Sequence, residues 1–252
     1  TLTYGQTEIL LLFGKVIGEA EVRDVQEMTA SNVGLKMMTE EAAVKDVPLT
    51  QNFIRTLHKT LLREDYTVYR NLPGGQTTSY TIHAGQYKTR PNSVITRYGD
   101  RFEYASPEET SSLMTDLVDW YNEAEQSGKF TPVEVAAIFH YRYIRIHPFE
   151  DGNGRMSRLL TLLWLYKAGL IVGKYISIEM LIEQSKETYY EALQDCSFGW
   201  HESNNVYEPF VKYFLGILIK ASNEFASRVE YLSDSKISKP ERVKRLIQNT
   251  AG

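Results

Sequence analysis

The sequence predicts an all-α protein, a compact helical bundle that carries one small β-hairpin. Two observations favour this class. Apolar residues recur at helical spacing over most of the chain. Two segments, at Ser106 and at Thr131, open with a capping box that has proline at the first helical position. About 42% of the 252 residues are hydrophobic, which is enough for a sizeable core.

The helices are predicted where caps, apolar spacing and stop signals agree. Thr50 opens the first helix, and glycines mark the ends of two later ones. In chain order, the predicted helices cover about 50–62, 106–128, 131–144, 155–168 and 177–195, followed by a long helix that contains Phe210–Phe225.

Between Tyr80 and Tyr104 the pattern changes. Thr, Tyr, Val and Ile dominate this stretch, and Gly85, Pro91 and Gly99 interrupt it. Such a composition is typical of strands and turns, so we predict a β-hairpin or extended flap inserted in the helical protein.

Charge and composition disfavour several classes of partner and location. The net charge is −4, so no basic field favours nucleic acid as a partner. The longest apolar runs, 9–13 and 159–165, are too short to span a bilayer, and no membrane partner is expected. Cys196 is the only cysteine, which suits a reducing compartment and predicts a cytoplasmic protein.

The segment from His147 to Arg158 contains the candidate catalytic and ligand-binding residues. The helix that begins at Thr131 must end near Pro148, because a residue before proline avoids the helical region. A Gly-Asn-Gly loop follows, and the next helix begins at about Arg155. Backbone N–H groups that converge at a helix N-terminus form an anion site, so the loop predicts a nest for phosphate.

The side chains around this nest differ in kind. Asp151 is a carboxylate of the type that holds Mg²⁺ together with phosphate oxygens and water. Arg155 and Arg158 share a helix face and can reach further phosphate oxygens. His147 is suited to act as a general base at neutral pH. This combination predicts phosphoryl or nucleotidyl transfer. The alternative is that these are separate caps, turn residues and surface charges.

The segment resembles the signature of the Fic (Fido) family, His-x-Phe-x-(Asp/Glu)-Gly-Asn-Gly-Arg-x-x-Arg. The resemblance extends from the first predicted helix through the flap to Tyr190. The residues that match the fixed positions are His147, Phe149, Asp151, Gly152, Asn153, Gly154, Arg155 and Arg158.

The resemblance implies a protein adenylyltransferase that moves AMP from ATP to a Tyr, Thr or Ser hydroxyl of a target protein. In that case His147 is the general base, Mg²⁺ binds at Asp151, and the two arginines hold the pyrophosphate end. Phe149 is then buried and anchors the loop. The nucleotide- and phosphate-binding residues that the resemblance implies are Asp151, Gly152, Asn153, Gly154, Arg155, Met156, Ser157, Arg158, Asn92, Ser93, Val94, Ile95, Tyr189, Tyr190 and Ser197.

Some of these assignments have a purely structural alternative. Gly85-Gln86-Tyr87-Lys88-Thr89 resembles the start of the family's flap near the active site, which clamps a target segment by strand addition. An ordinary surface hairpin would look the same. Tyr189-Tyr190 resembles the tyrosine pair beside the adenine, although helix packing also explains it. Ser197 stands where some relatives have Asn.

The predicted organisation is an N-terminal helical region at 1–47, the catalytic domain at 48–205, a packing helix at 206–232, and at 233–252 a linker with the start of a winged helix. The family's inhibitory Ser/Thr-x-x-x-Glu-(Gly/Asn) motif is expected upstream of Thr1. A homodimer is left open.

Other functions compete with AMP transfer. Doc-type relatives, which act as kinases, have Lys where this chain has Gly154, so phosphate transfer is disfavoured. UMP or phosphocholine transfer and removal of AMP stay open. A nucleotide-sensing regulator with a DNA-binding winged helix is the non-enzymatic alternative.

Overall fold

The computed structural model describes residues 33, 34, 36, 37, 40, 47–95, 99 and 101–233. Most of the predicted N-terminal region 1–47 and of the predicted segment 233–252 lies outside the described residues, as does any motif upstream of Thr1. The chain divides into two compact units, the first ending at Gly169 and the second beginning at Leu170.

Three helices of the first unit begin at the predicted caps. The Thr50 side chain accepts a hydrogen bond from the Phe53 backbone N–H at 3.1 Å. The capping boxes at Ser106 and Thr131 are both formed, and Gly128 ends the second helix in the left-handed region. The bounds are α1 (Gln51–Leu62), α2 (Pro107–Ser127), α3 (Pro132–Ile146) and α4 (Asn153–Lys167).

Two antiparallel hairpins interrupt this helical unit. The strands are β1 (Tyr66–Asn71) paired with β2 (Thr77–Ile82), and β3 (Ser93–Ile95) paired with β4 (Arg101–Glu103). The predicted all-α class with a β-hairpin is confirmed, and β3–β4 is the predicted hairpin. The β1–β2 hairpin was not predicted, and residues 80–82 belong to it. Both of its faces are largely exposed, so the alternation that marks a half-buried strand is limited to Tyr66-Thr67-Val68 and Tyr80-Thr81-Ile82.

The core of the first unit forms around α3 and α4, which pack against each other, and α2 packs on α3. Eleven of the fifteen residues in each of α3 and α4 are buried. Aromatic rings fill the centre: Trp164 lies 4.0 Å from Tyr121 and 5.2 Å from Phe139, measured between ring centroids. Because the two most buried helices flank residues 147–152, the predicted catalytic loop is supported on both sides by the core.

The second unit contains a short 3₁₀ helix (Ile171–Lys174), α5 (Ile178–Gln184), α6 (Lys186–Asp195) and α7 (Glu208–Ser233). The prediction of one helix from Ser177 to Asp195 was wrong, because the helix breaks at Ser185. The Ser185 hydroxyl donates to the Leu181 carbonyl at 2.8 Å, and its backbone leaves the helical region at φ −112° and ψ 30°. A serine side chain that competes for backbone groups in this way favours a helix end. Across the described ranges, no helix has the length and apolar character needed to cross a bilayer.

Candidate active site

The predicted loop joins the C-terminus of α3 to the N-terminus of α4. His147 ends α3 in the left-handed region (φ 51°, ψ 60°), which is uncommon for a residue other than glycine. Gly152 also has a positive φ of 79°, and α4 begins at Asn153, two residues before the predicted start. The first helical hydrogen bond runs from the Met156 N–H to the Gly152 carbonyl at 2.9 Å. The N–H groups of 152–155 therefore precede the helical ladder and form the anion-binding end of α4.

The hydrogen bonds of His147 determine which ring nitrogen can act as a base. Nδ1 lies 3.2 Å from the Ile144 carbonyl oxygen, which can only accept a hydrogen bond, so Nδ1 carries the proton. Nε2 then presents its lone pair. Tyr104 stacks on the imidazole with centroids 3.9 Å apart and 10° between the planes. Both contacts fix the ring orientation.

The pKa of His147 is lowered to about 4, mainly by burial and also by the nearby Lys88 and Arg145 charges, against the opposing effects of the Ile144 carbonyl and the Asp151 carboxylate. At neutral pH the imidazole is consequently unprotonated and able to accept a proton.

Asn153 stabilises the loop from within. Its buried side chain accepts from the Phe149 N–H at 2.9 Å and donates to the Phe149 carbonyl at 2.7 Å. The side chains of Met156 and Ser157 are also buried, and the Ser157 hydroxyl donates to the Gly154 carbonyl at 2.9 Å. Asn153 can therefore reach phosphate only through its backbone N–H, whereas the Met156 N–H is already bonded to the Gly152 carbonyl.

Phe149 is fully buried, as predicted. His58 of α1 stacks on it with centroids 3.7 Å apart and 2° between the planes. Burial lowers the pKa of His58 to about 4, so this ring too is neutral at physiological pH. No feature of the sequence indicates that His58 contacts the loop.

Asp151 is half-exposed beside the nest. Its Oδ2 accepts from the Tyr66 hydroxyl at 2.5 Å and from Arg155 Nη2 at 3.3 Å. In the part of the chain that the structure describes, no three His, Cys, Asp or Glu side chains form a metal-binding group. A single oriented carboxylate fits Mg²⁺, which commonly binds one or two carboxylates together with substrate phosphates and water.

The two motif arginines lie along the first turn of α4. Arg155 contacts Asp151, as described above. A Cβ added at Gly154 would lie 3.3 Å from Arg158 Nη1, so the Arg158 guanidinium passes over Gly154. One guanidinium therefore lies beside Asp151 and the other beside Gly154, which makes this end of α4 suitable for a multiply charged anion.

The root of the predicted flap, residues 85–92, is bound to the catalytic loop. The buried Lys88 ammonium donates to the Ile146 carbonyl at 3.0 Å and to Asn92 Oδ1 at 2.8 Å. The Asn92 amide donates to the carbonyls of His147 at 3.4 Å and Phe149 at 3.3 Å. Asn92 is thus placed at the loop, whereas Ser93, Val94 and Ile95 are exposed on β3. Whether these three contact a nucleotide stays a prediction.

A second connection runs through Glu150, at a variable position of the motif. Its carboxylate accepts from the Thr89 N–H at 3.2 Å and from Arg90 Nη2 at 2.6 Å. The Arg90 guanidinium also lies over the Tyr80 ring, 3.3 Å from its centroid. Glu150 and Arg90 therefore join the loop, the flap root and the β1–β2 hairpin.

The remaining predicted residues lie in the second unit. Tyr189 packs against Phe210 and Tyr213, with centroids 5.9 and 5.8 Å away, and Tyr190 is exposed. The Ser197 hydroxyl donates to the Leu193 carbonyl within its own helix end. Their placement at an adenine site stays a prediction.

Comparison with known proteins finds relatives of one family. A family model described as Fic/DOC family matches residues 48–165. The crystal structure of a Fic domain containing signaling protein from Bacteroides thetaiotaomicron is 45% identical, with a TM-score of 0.73, and the match covers 88% of this chain and 78% of that one. The structure of Fic-1 (residues 134–508) from Caenorhabditis elegans is 25% identical, with a TM-score of 0.66 over 91% of this chain and 59% of that one.

Among curated proteins, the protein adenylyltransferase fic-1 of Caenorhabditis elegans is 28% identical over 239 residues. The match covers 94% of this chain but only 40% of that protein. The chain therefore spans about two fifths of the length of such relatives.

Proposed function

Because the chain belongs to the Fic/DOC family, we propose that it transfers AMP from ATP to a hydroxyl group of a target protein. The observation that carries the proposal is the joint placement of a neutral His147 and the anion-binding end of α4 on one short loop. A base for an incoming hydroxyl and a site for a triphosphate are the two requirements of this reaction. The name of the Caenorhabditis relative supports the same activity.

In the proposed reaction, His147 Nε2 takes the proton of the acceptor hydroxyl. The hydroxyl oxygen forms a bond to the α-phosphorus of ATP, and the bond from that phosphorus to the oxygen bridging to the β-phosphate breaks. Pyrophosphate leaves with the electron pair, and AMP stays on the target. The hydrogen bond from Nδ1–H to the Ile144 carbonyl keeps the imidazole in the tautomer that this step needs.

The N–H groups at residues 152–155 and the guanidinium groups of Arg155 and Arg158 would hold the phosphates. Charge that develops on the leaving pyrophosphate would be stabilised by these donors, which are already oriented before reaction. Asp151 would hold Mg²⁺, which neutralises phosphate charge when bound. The Tyr66 hydroxyl and the Arg155 guanidinium orient that carboxylate.

The target is a protein that presents Tyr, Thr or Ser in an extended segment. The exposed β3 strand at the active-site rim offers backbone groups with which such a segment can pair. Gly154 favours AMP transfer over phosphate transfer, since kinase-type relatives have lysine there.

The test is label transfer in the presence of Mg²⁺ from ATP labelled either at the α- or at the γ-phosphate. AMP transfer predicts labelled protein only from the α-label, and mass spectrometry should find AMP on a hydroxyl side chain. His147→Ala should reduce the rate by about 10²–10⁴-fold. His201→Ala, which removes an exposed histidine of the second unit, is the control. Labelling from the γ-phosphate, or equal rates for His147→Ala and the native chain, would contradict the proposal.

A further inference from the structure

His58 lies between the flap root and the catalytic loop and bonds to both. The Gly85 N–H donates to His58 Nδ1 at 2.9 Å, and His58 Nε2 lies 3.0 Å from the Asp151 carbonyl oxygen. A backbone N–H can only donate and a carbonyl can only accept. Nδ1 therefore holds the lone pair, and Nε2 carries the proton that is donated to Asp151.

The hydrogen bond from His58 to the Asp151 carbonyl also orients the N–H of the same peptide unit, which belongs to Gly152. The peptide between Asp151 and Gly152 is planar and trans, so its C=O and its N–H point in opposite directions. Holding the Asp151 carbonyl toward α1 therefore turns the Gly152 N–H away from α1. The Gly152 N–H is the first of the four donors that precede the helical ladder of α4. Its direction determines whether it can bind the same anion as the other three.

We infer that His58 is a positioning residue that orients the Gly152 N–H as a donor to the phosphates of ATP. The inference rests on the proposed function for its ligand. In a flipped peptide, the Asp151 carbonyl oxygen would face the anion instead of the N–H and repel it. His58 selects the binding orientation before ATP arrives, which avoids the cost of reordering the loop on binding.

The surroundings keep the imidazole in place. The ring stacks on Phe149, and Arg55 Nε donates to the Gly85 carbonyl at 2.8 Å, so α1 holds Gly85 through both its N–H and its carbonyl. A Cβ on Gly85 would lie 2.9 Å from the Arg55 carbonyl oxygen, and one on Gly152 would lie 3.4 Å from His58 Nε2. Glycine at these two positions allows the close approach that both hydrogen bonds need.

Three substitutions separate positioning from packing. His58→Gln keeps a donor near the position of Nε2 for the Asp151 carbonyl. His58→Asn keeps an acceptor near Nδ1 for Gly85 but loses the donor, and His58→Phe keeps the ring and loses both. Binding of ATP, measured by titration calorimetry, should weaken about 10- to 100-fold in the Phe and Asn variants, as expected for a lost hydrogen bond to a charged group. The Gln variant should recover most of the affinity.

Leu117→Ala is the control for lost stability. Leu117 is fully buried in α2, so this variant should unfold more easily yet bind ATP as the native chain does. If the Asn and Gln variants bind ATP equally well, or if affinity follows melting temperature through the whole series including Leu117→Ala, His58 is a packing residue and the inference fails.

The tautomer of His58 can be measured by NMR on the native chain, so this test does not require any variant to fold. Long-range ¹H–¹⁵N spectra of ¹⁵N-histidine-labelled protein should show His58 as the neutral Nε2–H tautomer. The Gly152 amide resonance should shift on addition of ATP. A Nδ1–H tautomer would overturn the inference.

The failure of the inference differs from that of the proposed function. A native chain that binds ATP in a His58-dependent way but transfers no AMP contradicts only the proposed function. A native chain that transfers AMP and whose His58→Phe variant binds ATP equally tightly contradicts only the inference.

Discussion

The Tyr66 hydroxyl donates a hydrogen bond to Asp151 Oδ2 at 2.5 Å, across 85 positions of sequence. Through this bond the β1–β2 hairpin orients the carboxylate that we propose as the magnesium ligand. Partners of metal ligands commonly contribute about 10- to 100-fold to metal affinity.

Tyr66→Phe should therefore raise the Mg²⁺ concentration needed for half-maximal AMP transfer by about 10-fold or more, with little change in kcat at saturating Mg²⁺. The ring stays, so packing is retained. Binding of Mn²⁺ in the presence of a non-hydrolysable ATP analogue, followed by electron paramagnetic resonance, provides a reading that is independent of turnover. Tyr69→Phe, on the same strand with its side chain exposed, is the control and should behave as the native chain. Equal metal dependence of the two variants would show that the Tyr66 hydroxyl has no such role.

This contact also shows where sequence analysis reaches its limit. Local signals predicted the capped helices, the loop at a helix N-terminus, and the roles proposed for His147, Asp151 and the arginines, because caps and glycines act on neighbouring residues. His58 and Tyr66 have no such signal. Their loop partners are 93 and 85 positions away, and neither side chain belongs to a spacing that chemistry requires.

The missed β1–β2 hairpin has a related explanation. Its strands are largely exposed on both faces, so apolar and polar residues alternate over only three positions of each strand, although Gly74 and Gly75 at its turn both have a positive φ. Contacts at its ends, from Tyr66 to Asp151 and from Tyr80 to Arg90, fasten it to the flap and the loop. Such tertiary contacts can only be seen in the folded chain.

The two glycines of the nest should respond differently to alanine. Gly152 has φ +79°, and its added Cβ would lie 3.2 Å from Leu62 Cδ1, so Gly152→Ala should lower the free energy of unfolding by about 1–2 kcal/mol for the backbone alone. Gly154 is helical, and its Cβ would meet only Arg158 Nη1. Gly154→Ala should leave folding intact and weaken ATP binding by displacing that guanidinium. Chemical denaturation and calorimetry of both variants separate the two effects. Equal loss of stability in both would contradict this reading.

The contact of Glu150 with Thr89 and Arg90 should control the flap root. Arg90 is partly exposed, so Glu150→Gln should change the free energy of unfolding by no more than about 1 kcal/mol. Loss of the contacts of Glu150 with the flap root should appear instead as faster hydrogen exchange at residues 89–95 and as a higher KM for the target protein. Glu183→Gln, which removes an exposed ion pair with Lys186, is the matched control and should leave exchange at 89–95 unchanged. Unchanged exchange in Glu150→Gln would mean that this carboxylate does not hold the flap.

The pH dependence of the reaction should report His147. The base must be unprotonated, so activity is lost as pH falls through its pKa, which burial lowers to about 4 in the nucleotide-free chain. The ratio kcat/KM for ATP reports the free enzyme, whereas kcat reports the enzyme with substrate bound. The negative charge of bound triphosphate stabilises the imidazolium and raises this pKa. We therefore expect kcat/KM to stay level from neutral pH to about pH 5, and kcat to begin falling at a higher pH. Circular dichroism at each pH excludes unfolding as the cause of any loss. If kcat/KM instead begins to fall at a higher pH than kcat, a group other than His147 accepts the proton.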